Sequence, residues 1–456
     1  MATARREDGV MVRKRWSGRE SSRATVAAVS PTVDLGPFPD SDGYDDARTA
    51  DSADPLAGFR DRFADDDPEL IYLDGNSLGR LPLAAVSAVE HAVRTQWGSR
   101  LIRSWNERWW TLAQDVGGRI APLIGATADE VIVADSTTVN LHKLAAAALT
   151  AQDGRDGVVT DDLNFPSDVH VLRSVATAAG GELTVVPSDG VHGPVEELIG
   201  ALSDSTALLS LSATAFKSGY TYDLDRLTAA AHEAGALVLW DLSHAAGAVV
   251  VDLAGAGADL AVGCTYKFLN GGPGSPAYLF VRRGLQERLQ NPIAGWWGDA
   301  DPFEFGLDHV GAPGVSRFQT GTAPILSLVG AEAGIDVVAD AGMEAIDRKG
   351  RALVARAEAQ FEARLALLGM RWASPRDPAR RGAHALLAHD DAWRICQALI
   401  EHGRVIPDFR APDTIRLGFA PLTTSHVEVH TAIERLARVI ESDAAAGYSA
   451  DRSAVT

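Results

Sequence analysis

Cysteine is nearly absent from this sequence. The chain of 456 residues contains only Cys264 and Cys396, which is too few for a disulfide framework or for a cysteine-based zinc site. Such a low content is typical of proteins in a reducing compartment. We therefore predict a cytoplasmic protein with no metal centre.

Long apolar runs and positive charge are also scarce. No stretch reaches the about 18 apolar residues that would span a bilayer, and the arginine-rich N-terminus lacks the apolar segment of a secretory signal. The 42 Lys and Arg residues are outnumbered by 61 Asp and Glu residues, for a net charge of −19. We therefore expect neither nucleic acid nor a membrane as a partner.

The remaining composition is that of an ordinary globular protein, with 46% hydrophobic and 23% charged residues. A chain of this length exceeds one hydrophobic core, so two domains are expected. The pattern divides the chain into a disordered leader (1–55), an N-terminal segment (56–110), a large domain (111–325), a small C-terminal domain (326–441) and a tail (442–456).

Helical and strand patterns alternate from about residue 112 onwards. This alternation predicts an α/β fold in which helices sandwich a mostly parallel sheet. Ligands of such sheets bind at the carboxyl ends of the strands. The loops expected at that edge are 135–138, 164–168, 212–219, 241–247 and 264–274.

Two of these strand ends carry the most specific chemistry. Asp241 ends one apolar run, with His244 three residues later, and Lys267 follows a second run before a Gly-rich turn. A lysine that forms a Schiff base and an aspartate that keeps a pyridine nitrogen protonated are the requirements of pyridoxal phosphate (PLP). We therefore predict PLP at Lys267 and Asp241. The structural alternatives are a surface lysine beside a turn and a structural histidine.

Other strand-end loops have two interpretations each. Ser136, Thr137 and Thr138 open a helix directly after a strand, so they either bind a phosphate or form an ordinary N-cap. Phe165 and Asp168 lie on a strand-to-helix loop. They either cover a cofactor ring and its polar edge, or Asp168 caps the helix.

Arg416 and Trp105 are the candidates outside this sheet. Arg416 lies in a short apolar strand, where a buried arginine needs an anion. That anion is either a substrate carboxylate or the carboxylate of a structural salt bridge. Trp105 belongs to an aromatic segment and forms either a wall of a substrate pocket or a core or dimer contact.

Six motifs of this chain resemble those of kynureninases. The resemblance covers roughly residues 56–440 and rests on Tyr72-Leu-Asp-Gly-Asn-Ser-Leu-Gly79, Leu101-Ile-Arg-Ser-Trp-Asn106, Asn164-Phe-Pro-Ser-Asp168, Trp240-Asp-Leu-Ser-His-Ala245, Thr265-Tyr-Lys-Phe-Leu-Asn-Gly-Gly-Pro-Gly-Ser275 and Gly295-Trp-Trp-Gly298. It implies PLP fold type I and a homodimer with shared active sites, in which segment 56–110 packs on the small domain and at the dimer interface. It also implies hydrolysis of the Cβ–Cγ bond of L-kynurenine or 3-hydroxy-L-kynurenine to an anthranilate and L-alanine. The implied class is a hydrolase of carbon–carbon bonds, with a place in tryptophan catabolism or NAD biosynthesis.

The resemblance also implies residue roles where motifs match. Lys267, Tyr266 and Asp241 take part in catalysis, with Tyr266 either carrying a proton at the γ-carbonyl or only binding phosphate. Arg416 binds the α-carboxylate, and Asn76 and Trp105 complete the substrate site. The cofactor contacts are Thr137, Thr138, Phe165, Asp168, Ser212, Asp241, His244, Tyr266 and Lys267, with Trp296 and Thr322 contributed from the second subunit.

One departure from the family pattern leaves the exact substrate open. Residues 212–216 lack the His or Asn expected near Ala213 or Ala215, so the preferred ring substituents are not determined, and a substituted kynurenine of secondary metabolism stays an alternative. A cysteine-desulfurase-like lyase of the same fold would need a reactive cysteine on a mobile loop. A catalytically silent PLP-domain regulator would need a DNA-binding module.

Overall fold

The structure is a computed structural model that describes residues 43–65 and 67–452. The helices are α1 (Tyr44–Ser52), α2 (Leu83–His91), α3 (Leu112–Ile120), α4 (Thr137–Thr150), α5 (Pro166–Ala179), α6 (Val195–Ala201), α7 (Leu224–Glu233), α8 (Ile325–Ala341), α9 (Met343–Gln360), α10 (Ala392–Glu401) and α11 (His426–Glu441). The strands are β1 (Ile71–Tyr72), β2 (Val131–Val133), β3 (Gly157–Asp161), β4 (Leu183–Val186), β5 (Thr206–Ser212), β6 (Leu237–Asp241), β7 (Leu260–Gly263), β8 (Tyr278–Val281), β9 (Arg371–Trp372), β10 (His384–Ala388), β11 (Val405–Ile406), β12 (Asp408–Arg410) and β13 (Thr414–Gly418).

A seven-stranded sheet has the order β2-β8-β7-β6-β5-β3-β4. Strands β7, β6, β5, β3 and β4 run parallel, and β8 is antiparallel to both of its neighbours. Strands β5 to β8 are buried along their whole length, as expected of parallel strands that are covered on both faces. The mostly parallel α/β sheet predicted from the sequence is therefore confirmed.

The register of this sheet aligns the ends of its central strands. Ser212 at the end of β5 pairs with Asp241 at the end of β6, and Asp241 pairs with Val262 near the end of β7. Because parallel strands end at the same edge, the residues that follow β7 emerge beside Asp241. This is the edge at which the sequence predicts ligand binding.

A smaller antiparallel sheet has the order β12-β13-β10-β9. On β13, Arg416 pairs with Leu386 of β10 on one side and with Asp408 of β12 on the other. Strand β1 pairs with β11, and Asp74 forms an isolated bridge with Gly418. These pairings bring the turn that follows β1 against the small sheet.

Helix α1 lies inside the segment predicted to be a disordered leader, so that boundary was placed too late. The carboxylate of Asp51 accepts hydrogen bonds of 2.7 and 2.9 Å from two backbone N–H groups at the N-terminus of α11, and Asp54 pairs with the buried Lys349 at 2.7 Å. These long-range contacts order the helix, and composition alone does not show them. Residues 1–42 of the predicted leader lie outside the described residues.

Two expectations concern the whole chain, namely its lack of membrane spans and its division into domains. Among the described residues, no helix is long and apolar enough to cross a membrane. The described residues belong to one compact unit, so the division at residue 325 into a large and a small domain stays a prediction. Residues 453–456 of the predicted tail lie outside the description.

Candidate active site

Lys267 lies at the edge where β5, β6 and β7 end. Its Nζ is 2.8 Å from Nε2 of His244, and 6.0 and 5.9 Å from the ring centroids of Phe165 and Tyr266. The lysine is only half-buried. Its amine nevertheless lies among three other residues that are predicted for the same site, His244, Phe165 and Tyr266. This arrangement argues against a surface lysine that merely follows a turn.

Two buried carboxyl groups face this lysine. Oδ1 of Asp241 accepts hydrogen bonds from the backbone N–H and the hydroxyl of Ser243 at 2.9 and 2.6 Å. Asp168, in the first turn of α5, is buried, and its Oδ2 has no hydrogen-bond partner within the described residues. Burial raises the pKa of both carboxyls; the charge of Asp241 raises the pKa of Asp168 further, and Lys267 opposes the rise in both.

His244 is the neutral member of this cluster. Burial, followed by the positive charge of Lys267, lowers its pKa well below the ordinary value. Its Nδ1 has no hydrogen-bond partner in the part of the chain described. The histidine therefore contributes an uncharged ring whose Nε2 contacts the lysine amine.

These residues fit the predicted cofactor. Two buried carboxyls share a single nearby lysine, so the cluster lacks positive charge. A protonated ring nitrogen would supply both a charge and an N–H donor, which favours the ionised form of a buried carboxyl. Asp241 and Asp168 are placed to receive such a nitrogen, and the partly exposed Phe165 ring beside them can cover a cofactor face.

The loop that carries Phe165 is anchored by Asp161 and Asn164, neither of which is a predicted site residue, and by the predicted Ser212. The carboxylate of Asp161 accepts hydrogen bonds from Tyr222 and from two backbone N–H groups of this loop. Oδ1 of Asn164 accepts hydrogen bonds from the Ser212 hydroxyl at 2.6 Å and from the Phe165 N–H at 2.9 Å. The available signal was an aspartate at a strand end, which commonly binds the backbone two or three residues onward.

The N-termini of α4 and α5 meet beside this loop. The hydroxyl of Thr138 is 3.2 Å from that of Ser167. Ser136 is the N-cap of α4 and accepts a hydrogen bond from Val139 N–H at 3.4 Å, so the capping interpretation is confirmed for Ser136. Thr137 and Thr138 lie in the first turn, where backbone N–H groups and the helix dipole favour an anion. Their phosphate role stays a prediction.

Tyr266 connects the lysine to the N-terminal segment. Its carbonyl accepts a hydrogen bond of 2.8 Å from the Gly79 N–H, which ties the turn after β1 to the site. Burial, followed by the neighbouring Cys264, raises the pKa of the Tyr266 phenol. The phenol therefore stays protonated at neutral pH and can donate a proton or a hydrogen bond.

Trp105, Trp296 and Thr322 lie elsewhere in this chain. Trp105 and Trp296 both pack on Trp297, with ring centroids 5.3 and 4.8 Å apart. This packing agrees with the core-or-dimer interpretation of Trp105. Thr322 lines a cavity of about 90 Å³ beside Asp135, just before α4. The predicted roles of Trp296 and Thr322 depend on a second copy of the chain and stay predictions.

Arg416 is almost completely buried on the small sheet and already has anionic and neutral partners. One terminal nitrogen donates to the Phe216 carbonyl at 2.6 Å, and the other donates to the Ser77 hydroxyl at 2.8 Å and to the carboxylate of Asp408. Burial lowers the pKa of Arg416 to about 10. The salt-bridge interpretation is therefore realised, and binding of a substrate carboxylate stays a prediction.

Asn76 is fully buried beside this arginine. Neither of its side-chain amide atoms has a hydrogen-bond partner among the described residues. The amide lies directly against Gly418, because a Cβ added to that glycine would come within 1.9 Å of Oδ1 of Asn76. An unpaired buried amide is costly, so its state here agrees with the predicted contact to a ligand.

His384, at the start of β10, is a further candidate that the sequence did not reveal. It is fully buried, and its ring centroid is 5.5 Å from that of His244. The only sequence signal was a histidine that opens an apolar strand, which is more often a structural residue.

Two family models match the chain: "Aminotransferase class-V" over residues 71–390 and "Kynureninase C-terminal domain" over residues 346–436. A curated kynureninase from Burkholderia mallei (strain SAVP1) is 41% identical over 418 residues, which cover 90% of this chain and 99% of that protein. A kynureninase from Pseudomonas fluorescens is 41% identical over 404 residues, covering 87% and 95%. The chain belongs to the kynureninase family.

Kynureninase membership confirms the resemblance found in the motifs, together with PLP as the cofactor and the type I fold. Solved structures support the fold independently. A cysteine desulfurase from Thermococcus onnurineus NA1 superposes with a TM-score of 0.71 at 19% identity, covering 87% of this chain and 98% of that one. A C-DES mutant with glycine covalently linked to its PLP cofactor gives 0.69 at 19% identity, covering 81% and 97%.

The desulfurase likeness concerns the fold alone. Burial raises the pKa of both thiols of the chain, Cys264 and Cys396, and both side chains are buried. A thiol nucleophile needs the ionised form and access to its substrate. Neither cysteine fits the reactive residue that the desulfurase alternative requires.

Proposed function

We propose that this protein is a PLP-dependent hydrolase that cleaves the Cβ–Cγ bond of L-kynurenine, 3-hydroxy-L-kynurenine or both. The products are anthranilate or 3-hydroxyanthranilate and L-alanine. The observation that carries the proposal is the cluster of Lys267, His244, Asp241 and Asp168 at one sheet edge, in a chain that matches kynureninases along 90% of its length.

The cofactor would be held at both ends. Asp241 and Asp168 would receive its ring nitrogen, Phe165 would cover the ring, and the α4 N-terminus with Thr137 and Thr138 would bind its phosphate. When bound, PLP would withdraw electrons from the substrate and so stabilise the negative charge that develops at Cα, the carbon that carries the amino group. Lys267 would hold the cofactor covalently until substrate replaces it.

The chain's own residues would move the protons. Lys267 would remove the proton from Cα of the substrate, and the neutral His244 at 2.8 Å would hold the amine without repelling its charged form. Water would then add to the γ-carbonyl, and the protonated Tyr266 would donate to the oxygen on which charge develops. The Cβ–Cγ bond would break with its electron pair left on Cβ, which takes up a proton to give alanine, while Cγ becomes the carboxyl carbon of the anthranilate. Arg416 and Asn76 would bind the amino-acid half of the substrate.

A second copy of this chain is the proposed macromolecular partner. Exposed apolar side chains surround a cavity of about 940 Å³ along α2 and the Gly-rich turn after Lys267. Leu81 and Val86, both 50% exposed, line it together with Leu326. Apolar surface of this kind favours association, and its continuity with the Lys267 turn supports a homodimer with shared active sites. We propose a cytoplasmic location, which both buried, unpaired cysteines suit.

Sedimentation of the purified protein tests the dimer. We expect a dimer that dissociates in Val86→Glu, because a charge would be buried at the interface, whereas Leu367→Glu, at an exposed position on another surface, should leave it intact. A wild-type monomer at micromolar concentration would contradict the proposal.

The product profile tests the reaction itself. Purified protein would be incubated with L-kynurenine and with 3-hydroxy-L-kynurenine while alanine, the anthranilates and the visible absorbance of bound cofactor are measured. We expect alanine and an anthranilate in equal amounts, and neither product from Lys267→Ala. Bound cofactor without cleavage of either substrate would point to a substituted kynurenine instead.

A further inference from the structure

His384 is a buried residue that the proposed mechanism does not use. Its side chain is fully buried, yet neither Nδ1 nor Nε2 makes a hydrogen bond to another described residue. A buried polar atom without a partner costs roughly 1–3 kcal/mol, and such atoms in native proteins usually have a ligand, a water molecule or a functional reason. The ring therefore calls for a partner beyond the residues that the structure describes.

Strand pairing places His384 on the same face as Arg416. His384 is directly opposite Gly418, and Leu386 is opposite Arg416. Residues directly opposite each other in an antiparallel pair share a face, as do residues two apart on one strand. His384 and Arg416 are therefore diagonal neighbours on one face of the small sheet.

The same face receives Asn76 from the turn after β1. Its amide lies against Gly418, the residue paired with His384, and both of its polar atoms lack partners within the described ranges. On the opposite side, the His384 ring is 5.5 Å from His244, which contacts Lys267. His384 thus lies between Arg416 and the His244 that contacts the Lys267 amine, with the Asn76 amide on the same face of the sheet.

Arg416 by itself offers little to an incoming anion. Both of its terminal nitrogens donate hydrogen bonds within the protein, one of them to the carboxylate of Asp408, and only Nε lacks a partner among the described residues. A bidentate grip on a substrate carboxylate would require displacing Asp408. A further donor on the same face would remove that requirement.

His384 can be this donor because it is neutral. Burial and then the positive charge of Arg416 lower its pKa to about 3, and the nearby Ala215 backbone, which lies outside hydrogen-bond geometry with either ring nitrogen, opposes the change. A neutral imidazole always has one N–H to donate and adds no charge that would need compensation.

We propose that His384 is a further substrate-binding residue, whose imidazole N–H donates a hydrogen bond to the α-carboxylate of the amino-acid substrate beside Arg416. The inference rests on the proposed function, because it requires an α-amino-acid substrate. His384 would be a third recognition residue beside Arg416 and Asn76. The substrate carboxylate would then be bound by a neutral imidazole as well as by the charged guanidinium of Arg416.

Binding of the amino-acid product separates this role from a structural one. The Kd of the PLP-loaded protein for L-alanine, and for L-alaninamide, in which a carboxamide replaces the carboxylate, would be measured by calorimetry. His384→Phe removes both nitrogens and keeps a ring, whereas His384→Gln keeps a donor. His402→Phe is the matched control, because His402 pairs with Tyr448 through a 3.1 Å contact outside the site.

We expect His384→Phe to raise the Kd for L-alanine by about tenfold or more, with His384→Gln within about threefold of wild type and His402→Phe unchanged. The Kd for L-alaninamide should rise by less than about threefold in His384→Phe, because a hydrogen bond to a neutral acceptor is weaker than one to a carboxylate. Unchanged L-alanine binding in folded His384→Phe, or an equal loss for both ligands, would overturn the proposal.

If His384→Phe does not fold, the proposal is tested with two variants whose amide side chains differ in length, His384→Gln and His384→Asn. His384→Gln should retain affinity, and the shorter His384→Asn should lose about tenfold; equal affinities for L-alanine would overturn the proposal. Kynurenine cleavage by the wild type is measured in parallel. A carboxylate-specific loss in a protein that cleaves no kynurenine would leave this inference standing while the proposed function fails.

Discussion

The edge of the seven-stranded sheet and the face of the four-stranded sheet differ in how their buried charges are paired. At the edge, Asp241 and Asp168 are buried near a single lysine, so the cluster lacks positive charge. On the small sheet, Arg416 is already paired with Asp408. The first region is therefore suited to a cationic ring nitrogen. The small-sheet site can bind a substrate carboxylate only beside the carboxylate of Asp408, which Arg416 already pairs with.

This difference separates the residues that make the cofactor site reactive from those that would select the substrate. Loss of a residue at the sheet edge should remove chemistry, whereas loss of a residue on the small sheet should mainly weaken substrate binding. Two experiments test this separation, and a third tests the burial of Asp161, which anchors the Phe165 loop at the sheet edge.

Removal of Lys267 should have the largest effect. We expect Lys267→Ala to lower cleavage by about a thousandfold or more, because both covalent attachment and proton transfer are lost. Turnover and bound-cofactor absorbance check this result. Lys349→Ala is the contrasting variant, since it breaks the buried pair with Asp54: it should lower the unfolding free energy by about 3 kcal/mol and leave kcat unchanged.

A Lys267→Ala variant that keeps more than a tenth of the wild-type rate would show that Lys267 is not required for catalysis. A Lys349→Ala variant that loses turnover without losing stability would show that the two regions cannot be separated in this way.

Arg416 should give the next largest effect. Arg416→Gln removes one of the two guanidinium groups that pair with Asp408, and we expect kcat/KM for kynurenine to fall about a hundredfold. Bound-cofactor absorbance should be retained, because the sheet-edge residues are intact. Steady-state kinetics with an absorbance spectrum of the same sample measure both quantities. Loss of the cofactor in this variant would contradict the proposed division between the regions.

The smallest effect concerns the pH dependence of stability. Burial raises the pKa of Asp161 from 3.8 to about 6, so the folded protein binds this proton more tightly than the unfolded chain does. Stability from this group is therefore greatest at low pH and falls as the pH rises from about 4 to about 6. Denaturant unfolding of cofactor-free protein should show that the stability of wild type relative to Asp161→Asn falls by about 1 kcal/mol between pH 5 and pH 7.

A difference between wild type and Asp161→Asn that does not change with pH would show that Asp161 is ionised throughout. The hydrogen bonds of Asp161 to Tyr222 and the Phe165 loop would then outweigh its burial.

The sequence by itself determined the sheet edge. The pattern predicts strands at 236–241 and 259–263, and β6 and β7 each begin one residue later and end at the predicted residue. Because parallel strands end together, Asp241 and Lys267 had to meet. The helix-opening Ser136-Thr137-Thr138 and the Phe165 loop followed from the same rule. Each of these motifs combines a local apolar run with a chemically specific residue. Such motifs can be predicted from one sequence because all of their residues are close together along the chain.

Only the tertiary structure decided the contacts of the small sheet and of α1. Ser77 and Arg416 are 339 positions apart, and no periodicity relates them. The partners of Arg416, the unpaired ring of His384 and the order of α1 on α11 all depend on which distant surfaces pack together. The free-energy cost of burying a polar group depends on whether its neighbours pair with it. That cost can therefore be judged only when the neighbours are known.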